Sequence, residues 1–527
     1  MLLPALDLLE RQTAPLLRHI FSLLSAAVSP CYLVGGMLRD LLLSGIESPT
    51  AAPPAQEDVT QVAGSVPGTG HTPDWSDLDF SVPADGLRIA RQLANQLGGA
   101  FYALDPQRDV GRVVLRDPTR VIDIARFQGN TLEADLAARD FTVNAMAVDI
   151  THHPLRLIDP LAGYADLLMR HLRAVSEEAI ERDPVRALRA VRLQAQLNFE
   201  IEATTRQLIR NAANQLVRTS AERVRDEVMK ILALPHAASS LRELDALGLL
   251  DVVIPELTPL KGMRQTSCHR WDGFEHTLRT VAALEDWLAA GIQAGQPELP
   301  FRQLVLQHLA AETAGGYRRR TLLSLAALLH DIGKPSCASL DPDGHIRFIG
   351  HEQIGAGLAV EVLERLRLPR QAIRLVETVI RHHLRPLSLA RQGIPSRRAT
   401  HRYYRELGEA GVEVALHALA DLQATVGPPD GDEQWPALLS TVTWLLDVYF
   451  NQHRQIVAPP PLLTGHDLVQ HMGLKPGPRL GQLLADLQEA QAIGAVTTRA
   501  QAEAWVRARC GPETIEERQS EGGEQGR

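Results

Sequence analysis

The sequence predicts an α+β protein: a head built on a small mixed sheet, then a long all-helical remainder. Three observations carry this. Short β-prone runs are confined to the first third of the chain, at about 76–80, 100–104, 110–116 and 120–126. From about residue 177 the apolar pattern is helical almost throughout. Aromatics make up only 4% of a chain that is 45% hydrophobic, so its cores are expected to be rich in Leu, Ala and Val.

A length of 527 residues suggests three or four domains. No run of about 18 apolar residues appears, so no membrane span is expected. The N-terminus lacks a basic n-region and a continuous apolar core, so it does not read as a signal peptide. The four cysteines, Cys31, Cys268, Cys337 and Cys510, form no CxxC pair. Neither a disulfide framework nor a zinc knuckle is expected, which fits a reducing cytoplasm. The net charge of −9 gives no global sign of nucleic-acid binding. Residues 181–232 carry ten Arg/Lys against seven Asp/Glu, a small local excess.

In chain order, residues 5–28 read as an amphipathic helix. Tyr32-Leu33-Val34-Gly35-Gly36-Met37-Leu38-Arg39-Asp40 then reads as a buried strand, a Gly-Gly turn and a helix start. Such a turn lets backbone N–H groups approach a phosphate, and the helix N-terminus adds positive potential. Arg39 can add a forked contact. Residues 44–75 are dominated by Pro, Gly, Ser, Thr and Ala and read as a flexible insertion. Next comes Ser76-Asp77-Leu78-Asp79-Phe80. Strand alternation puts Asp77 and Asp79 on one face and Leu78 and Phe80 on the other. Two carboxylates on one face repel unless a cation sits between them, and Mg²⁺ with a triphosphate meets that need. A helix over 85–98 and three strands follow. The last strand, Arg120–Arg126, places Asp123 in a β-rich run. Ala138-Arg139-Asp140-Phe141-Thr142-Val143-Asn144-Ala145 comes next, and Ile158-Asp159-Pro160 with Gly163 forms a turn out of the head.

These motifs, in this order, resemble the class II tRNA nucleotidyltransferase/poly(A) polymerase family, whose head has the polymerase-β-like nucleotidyltransferase fold. The resemblance runs from about residue 30 to about 507. It implies that Asp77 and Asp79 hold Mg²⁺ with Asp123 as a third carboxylate. Gly35, Gly36, Arg39 and Asp40 would grip the triphosphate. The 138–145 segment resembles the family's RRDFTxNA motif with Ala138 in place of its first Arg. Arg139, Asp140 and Asn144 would then hold ribose and phosphates, and a 2′-hydroxyl, donor and acceptor at once, suits Asp and Asn. The 44–75 insertion is longer than the link usual in the family.

Residues 177–234 read as helices. In Glu181-Arg182-Asp183-Pro184-Val185-Arg186-Ala187-Leu188-Arg189, Pro184 suits a first helical turn with Asp183 as cap. Arg186, Arg189 and Arg192 recur every third residue along one side. This resembles the family's EDxxR motif, with Arg182 in place of Glu. It implies that Asp183 and Arg186 read the base edge of CTP or ATP, with Arg189 on the phosphates.

A second set of residues begins near 262. His276 lies in a helical run, His330-Asp331 ends an apolar helix, His351 starts one after Gly350, His382-His383 close another, and Asp421 lies in the run 412–422. Imidazole and carboxylate donors suit divalent metals. The order His, His-Asp, His, His, Asp resembles the HD phosphohydrolase superfamily. It implies a metal site of His276, His330, Asp331, His351, His382 and Asp421 that holds Mg²⁺, Mn²⁺ or Ni²⁺ and hydrolyses a phosphoester on RNA. His383 is the rival of His382, since neighbours on a helix point about 100° apart.

The expected organisation is a head over 1–160, a helical neck over 161–258, an HD-type domain over 259–456, a helical tail over 457–510 and a disordered end over 511–527. The resemblance implies a template-independent enzyme that adds CMP and/or AMP from CTP and ATP to tRNA 3′ ends. Three readings remain open: a poly(A) polymerase, an HD phosphohydrolase with an RNA-binding head, and a non-catalytic tRNA-binding protein. Oligomeric state is not legible.

Overall fold

The computed structural model describes residues 15–47, 75–116, 119–265, 270–289, 299–313, 315–426 and 434–510. The chain divides into two compact units, residues 1–234 with 243–253, and residues 235–242 with 254–527. Of the insertion expected over 44–75, residues 48–74 lie outside the described residues, as does the expected disorder over 511–527.

The first unit is built on one seven-stranded sheet. Its strands are β1 (Tyr32–Val34), β2 (Asp77–Val82), β3 (Ala100–Asp105), β4 (Val110–Arg116), β5 (Thr119–Arg126), β6 (Ala147–Asp149) and β7 (Leu157–Ile158). Their order is β3-β4-β5-β2-β1-β6-β7. β2 and β5 pair in parallel and every other neighbouring pair is antiparallel, which makes the sheet mixed as expected.

The alternation read from Asp-Leu-Asp-Phe holds. Leu78 and Phe80 are buried, and their register partners Ile122 and Ile124 are buried beside them. Each such side chain contributes about 2 kcal/mol by leaving water. Helices α1 (Pro15–Ala27) and α3 (Gly86–Leu97) cover this part of the sheet: Phe21 meets Phe80 edge to face at 6.0 Å, and α3 packs its buried Ile89, Ala90 and Leu93 onto β4 and β5. Asp109 holds the start of α3 by accepting from the backbone N–H of Gly86 and Leu87 at 3.0 and 2.9 Å. Helix α2 (Gly36–Glu47) follows β1 directly. It carries the chain four residues into the stretch that composition assigns to the insertion, where Ser44 folds back to donate to the Leu41 carbonyl at 2.8 Å. Helix α4 (Leu132–Ala137) is capped by Thr131 and leads into a 3₁₀ turn at Thr142–Asn144. Helices α5 (Val185–Leu197) and α6 (Ala221–Leu232) pack on each other in the neck.

Among its described residues, the regular structure of the second unit is helical apart from a two-stranded hairpin at Ser339–Leu340 and Ile346–Arg347. Its central helices are α7 (Gly273–Leu288), α8 (Arg319–Leu329), α9 (His351–Arg365), α10 (Arg370–His382) and α11 (Gly411–Val426). α8 is buried on every side, so its apolar run has no solvent face. The C-terminal helices Gly465–Met472, Pro478–Ala492 and Arg499–Cys510 build a small core of their own around Leu468, Leu487 and Val506. A Thr464/Asp467 capping box starts the first of them. Among the described residues no helix is long and apolar enough to cross a membrane.

Candidate active sites

In the head, Val34, Asp79 and Asp123 share one row across three adjacent strands. Val34 pairs with Asp79, and Asp79 pairs with Asp123 in the parallel register. Gly35 is held at φ +82°, and a Cβ there would stand 2.5 Å from Asp79 Oδ2. The turn therefore needs glycine twice over, for its backbone and for the carboxylate behind it. Burial raises the Asp79 carboxyl to about 6, and Asp77 and Asp123 add to the rise against the opposing pull of Arg139 and Arg112. A cation beside these carboxylates would relieve that cost, so the donor set suits a hard divalent ion. Asp123 meets a partner that sequence reasoning missed: Arg112, its register partner on β4, donates to it from two nitrogens at 2.8 and 2.7 Å. The visible signal was a cation on the neighbouring strand, but only the register selects it.

Arg39 is buried. It donates to Asp40 at 2.7 Å and to the Asn144 carbonyl oxygen at 2.7 Å. Asn144 in turn donates to Asp140 at 3.1 Å, and Arg189 reaches the other Asp140 oxygen at 3.1 Å. Glu227 accepts from Arg189 at 3.4 Å and from Arg192 at 2.7 Å. Burial opposes the charge on Asp140, but Arg189 leads the interactions that keep its carboxyl below the ordinary range. Gly36, Arg39, Asp40, Asp140 and Asn144 are thus brought together. Arg139 lies apart from this network, donating to Ser81 at 3.1 Å beside Asp135.

Two neck residues have partners within the protein. Arg186 donates to the carbonyls of Arg139 and Ala138 at 2.7 Å each and to that of Ala179 at 3.1 Å. Its guanidinium thus ties residues 138 and 139 to α5. Arg189 is held between Asp140 and Glu227. Asp183 is gripped in a two-point fork by Arg223 at 2.9 and 2.7 Å, half-exposed on α6. Arg223 is 40 residues from Asp183, so no local pattern links the two.

In the second unit, helices α7, α8, α9, α10 and α11 converge on one buried cluster. His276 Nε2 lies 3.5 Å from Asp331 Oδ2 and 3.0 Å from Asp421 Oδ1. His330 Nε2 lies 3.2 Å from Asp331 Oδ2, and His351 Nε2 lies 3.5 Å from Asp331 Oδ1. The site forms two triads, His276/His330/Asp331 and Asp331/His351/His383, each with ligand atoms within 4.8 Å of one another. Asp331 belongs to both, one oxygen toward each. His330, His351 and His383 each make a 2.7–2.8 Å contact from Nδ1 to a carbonyl three residues earlier, of Ala327, Phe348 and Ile380. Those carbonyls accept from Nδ1–H, which turns each Nε2 toward the centre.

His382 was the expected ligand, and the structure replaces it with His383. His383 is 2% exposed, whereas His382 turns outward to within 3.9 Å of Glu406. Helix α10 has an apolar buried face, and the 100° step between neighbours puts His383 on it. Sequence reasoning also missed Lys334, whose Nζ lies 2.6 Å from Asp331 and donates to Gln265 at 2.6 Å, and His417, one turn before Asp421 on α11. Burial opposes charge on His330, but Asp331 and Asp421 push it up to about 10. Burial, with His330 nearby, pushes His383 down to about 3. The Nε2 of His330 is buried without a hydrogen-bond partner, which is where a metal would fit this donor set. A cavity of about 760 Å³ opens beside Asp331, His351, His383 and Asp421, with Lys334 and Arg391 in its wall.

Four family models match the chain. They are the poly A polymerase head domain at residues 119–173, an RNA- and SrmB-binding site of polymerase A at 198–261, the HD domain at 273–421, and a tRNA nucleotidyltransferase domain 2 at 359–504. The A-adding tRNA nucleotidyltransferase of Deinococcus radiodurans is 36% identical over 449 residues, covering 83% of this chain and 93% of that one. The CC-adding tRNA nucleotidyltransferase of Thermus thermophilus is 31% identical over 484 residues, covering 90% and 92%. Among solved structures, an apo CCA-adding enzyme superposes with a TM-score of 0.60 at 22% identity, over 96% of both chains. The Thermotoga maritima CCA-adding enzyme complexed with tRNA superposes with a TM-score of 0.56 at 21% identity, over 96% of this chain and 98% of that one.

Proposed function

The chain belongs to the tRNA nucleotidyltransferase/poly(A) polymerase family, with an HD domain, and from that premise we propose that it extends tRNA 3′ ends by adding CMP and/or AMP from CTP and ATP. The observation that carries this is the Asp79–Asp123 register beside the Gly35 turn, which gathers acidic oxygens where a triphosphate can approach. A cytoplasmic location accords with this reading.

In this reading Asp77 and Asp79 would hold Mg²⁺, with Asp123 beside them as the third carboxylate. Bound divalent ions supply acidification of an attacking hydroxyl and neutralise triphosphate charge. The protein's own part is positioning. The Gly35-Gly36 backbone accepts the phosphates, and Arg39, fixed by Asn144, carries positive charge at the helix start. Asp140 and Asn144 complement a ribose hydroxyl, and Arg139 lies beside the acidic row. Arg186 fixes the carbonyls of Ala138 and Arg139 so that this side of the pocket keeps its shape. Asp183 with Arg223 offers the polar edge against which a base is read. A tRNA ending before its CCA, the same tRNA after CC, and oligo(A), each incubated with one labelled nucleotide at a time, test the reading. Growth by three, two or one nucleotides on tRNA supports it, and growth by many nucleotides on oligo(A) marks a poly(A) polymerase instead.

The second unit supports a second chemistry. The two triads sharing Asp331 at the wall of a 760 Å³ cavity suit a centre of one or two divalent metals that hydrolyses a phosphoester. His276, His330, Asp331 and Asp421 would hold one ion, and Asp331, His351 and His383 another. The metal would supply a water acidic enough to attack phosphorus near neutral pH. Lys334 would steady the departing charge. Hydrolysis of a 2′,3′-cyclic phosphate on RNA, assayed with Ni²⁺, Mn²⁺ or Mg²⁺, tests this reading separately from nucleotide addition.

A further inference from the structure

His417 takes no part in the set of six read from the sequence, yet it is fully buried among that set. Its ring centroid lies 4.8 Å from that of His330 and 5.5 Å from that of His383, both edge to face. Those two rings are themselves 5.3 Å apart, so the three imidazoles form a closed triangle. His417 precedes Asp421 by one turn of α11, which places both on the same face of that helix.

The polar inventory separates His417 from three of its neighbours. His330, His351, His383 and also the distant His401 each have Nδ1 on a backbone carbonyl. Both ring nitrogens of His417 are buried with no hydrogen-bond partner. A neutral imidazole always has one N–H and one lone pair, and burying both unmatched forfeits the hydrogen bonds that each would make in water. A side chain that only filled space would be replaced there by Phe or Leu without that cost. A group kept polar in this position needs a partner, and its ring lies against the rings of His330 and His383, two of the donors of the cluster.

Resting on the reading of this cluster as a metal centre, we propose that His417 is a seventh donor of that centre and tilts its choice toward a transition ion and away from Mg²⁺. With His417 the centre presents five imidazoles, of His276, His330, His351, His383 and His417, against the two carboxylates of Asp331 and Asp421. Imidazole favours Ni²⁺, Co²⁺ and Zn²⁺, whereas Mg²⁺ demands oxygen and gives up its water reluctantly. Each nitrogen added therefore widens the gap between the two classes of ion.

The experiment uses the full-length protein stripped of metal, titrated with Co²⁺ and followed by its visible absorption, then equilibrated with equimolar Ni²⁺ and excess Mg²⁺ and measured for bound metal. His417→Phe keeps the ring packing and removes both nitrogens, and His382→Phe is the control outside the cluster. The expected result is a shifted Co²⁺ spectrum, Co²⁺ affinity weaker by about tenfold or more, and a lower Ni²⁺:Mg²⁺ ratio in His417→Phe alone. A spectrum, affinity and ratio identical to wild type overturn the role of His417 while leaving the metal centre standing. Failure of the wild type to bind Co²⁺ overturns the metal-centre reading and this inference with it. Should His417→Phe lose its cooperative thermal transition, His417→Gln is measured the same way and judged by the same outcomes.

Discussion

Asp79 stands directly across the parallel β2–β5 pairing from Asp123, and Arg112 on β4 holds Asp123 from its other side. One acidic residue of the row is thus neutralised within the protein, and the other, against Gly35, is not. The carboxylate left to find an external cation is Asp79.

Asp77→Ala and Asp79→Ala should abolish nucleotide addition with the fold retained, because each removes an oxygen ligand from a contribution of several kcal/mol. Addition near the wild-type rate by either variant in Mg²⁺ would sink the assignment of the head. Asp79→Asn has a second readout. The folded carboxyl is raised to about 6, so folded protein holds a proton that unfolded protein has released. Metal-free stability should therefore fall as pH rises from the ordinary Asp value to about 6. At pH 7.5 in EDTA, Asp79→Asn should be more stable than wild type by ~2 kcal/mol. Denaturant melts across pH check this, and an equal or lower stability for the variant would contradict it.

Gly35→Ala should lose nucleotide addition. Its Cβ would need a positive φ and would fall 2.5 Å from Asp79 Oδ2, so the turn or the carboxylate must move. A kcat/KM within twofold of wild type would mean that neither position matters to the reaction.

Arg186 and Arg223 should fail in different ways. Arg186→Ala leaves three backbone carbonyls without their charged donor and should lower stability by about 3 kcal/mol, slowing all nucleotides alike. Arg223→Ala frees Asp183 on a half-exposed surface and should change the ratio of kcat/KM for CTP and ATP over UTP and GTP while the melting temperature holds. The reverse pattern would return base reading to Arg186.

His383→Ala, His330→Ala and Asp331→Ala should each lose bound metal and cyclic-phosphate hydrolysis, and His382→Ala should lose neither. The geometry behind this is the inward Nε2 of His383, 3.3 Å from that of His351. Bound-metal analysis of the four purified variants decides it. Loss of metal in His382→Ala alone would reinstate the residue that the sequence favoured. If Asp331→Ala also lost nucleotide addition without unfolding, the two chemistries would not be separable.

By itself the sequence determined everything that depends on local period. Strand alternation put Asp77 and Asp79 on one face, a Gly-Gly turn before a helix marked the phosphate side, and the spacing of His276, His330-Asp331, His351 and Asp421 marked a helical metal cluster. Those features are short-range, so neighbouring residues suffice to specify them. Only the tertiary structure decided which residues meet across distance. Asp123 comes level with Asp79 because β5 pairs parallel to β2, a register set by the buried Leu78–Ile122 and Phe80–Ile124 pairs rather than by the acids themselves. Arg186 turns to backbone carbonyls because the 138–140 segment passes within its reach, and Arg223 takes Asp183 because α6 packs on α5. His383 displaces His382, and His417 joins the cluster, because rotation about a helix axis becomes meaningful only once a second helix supplies the inside.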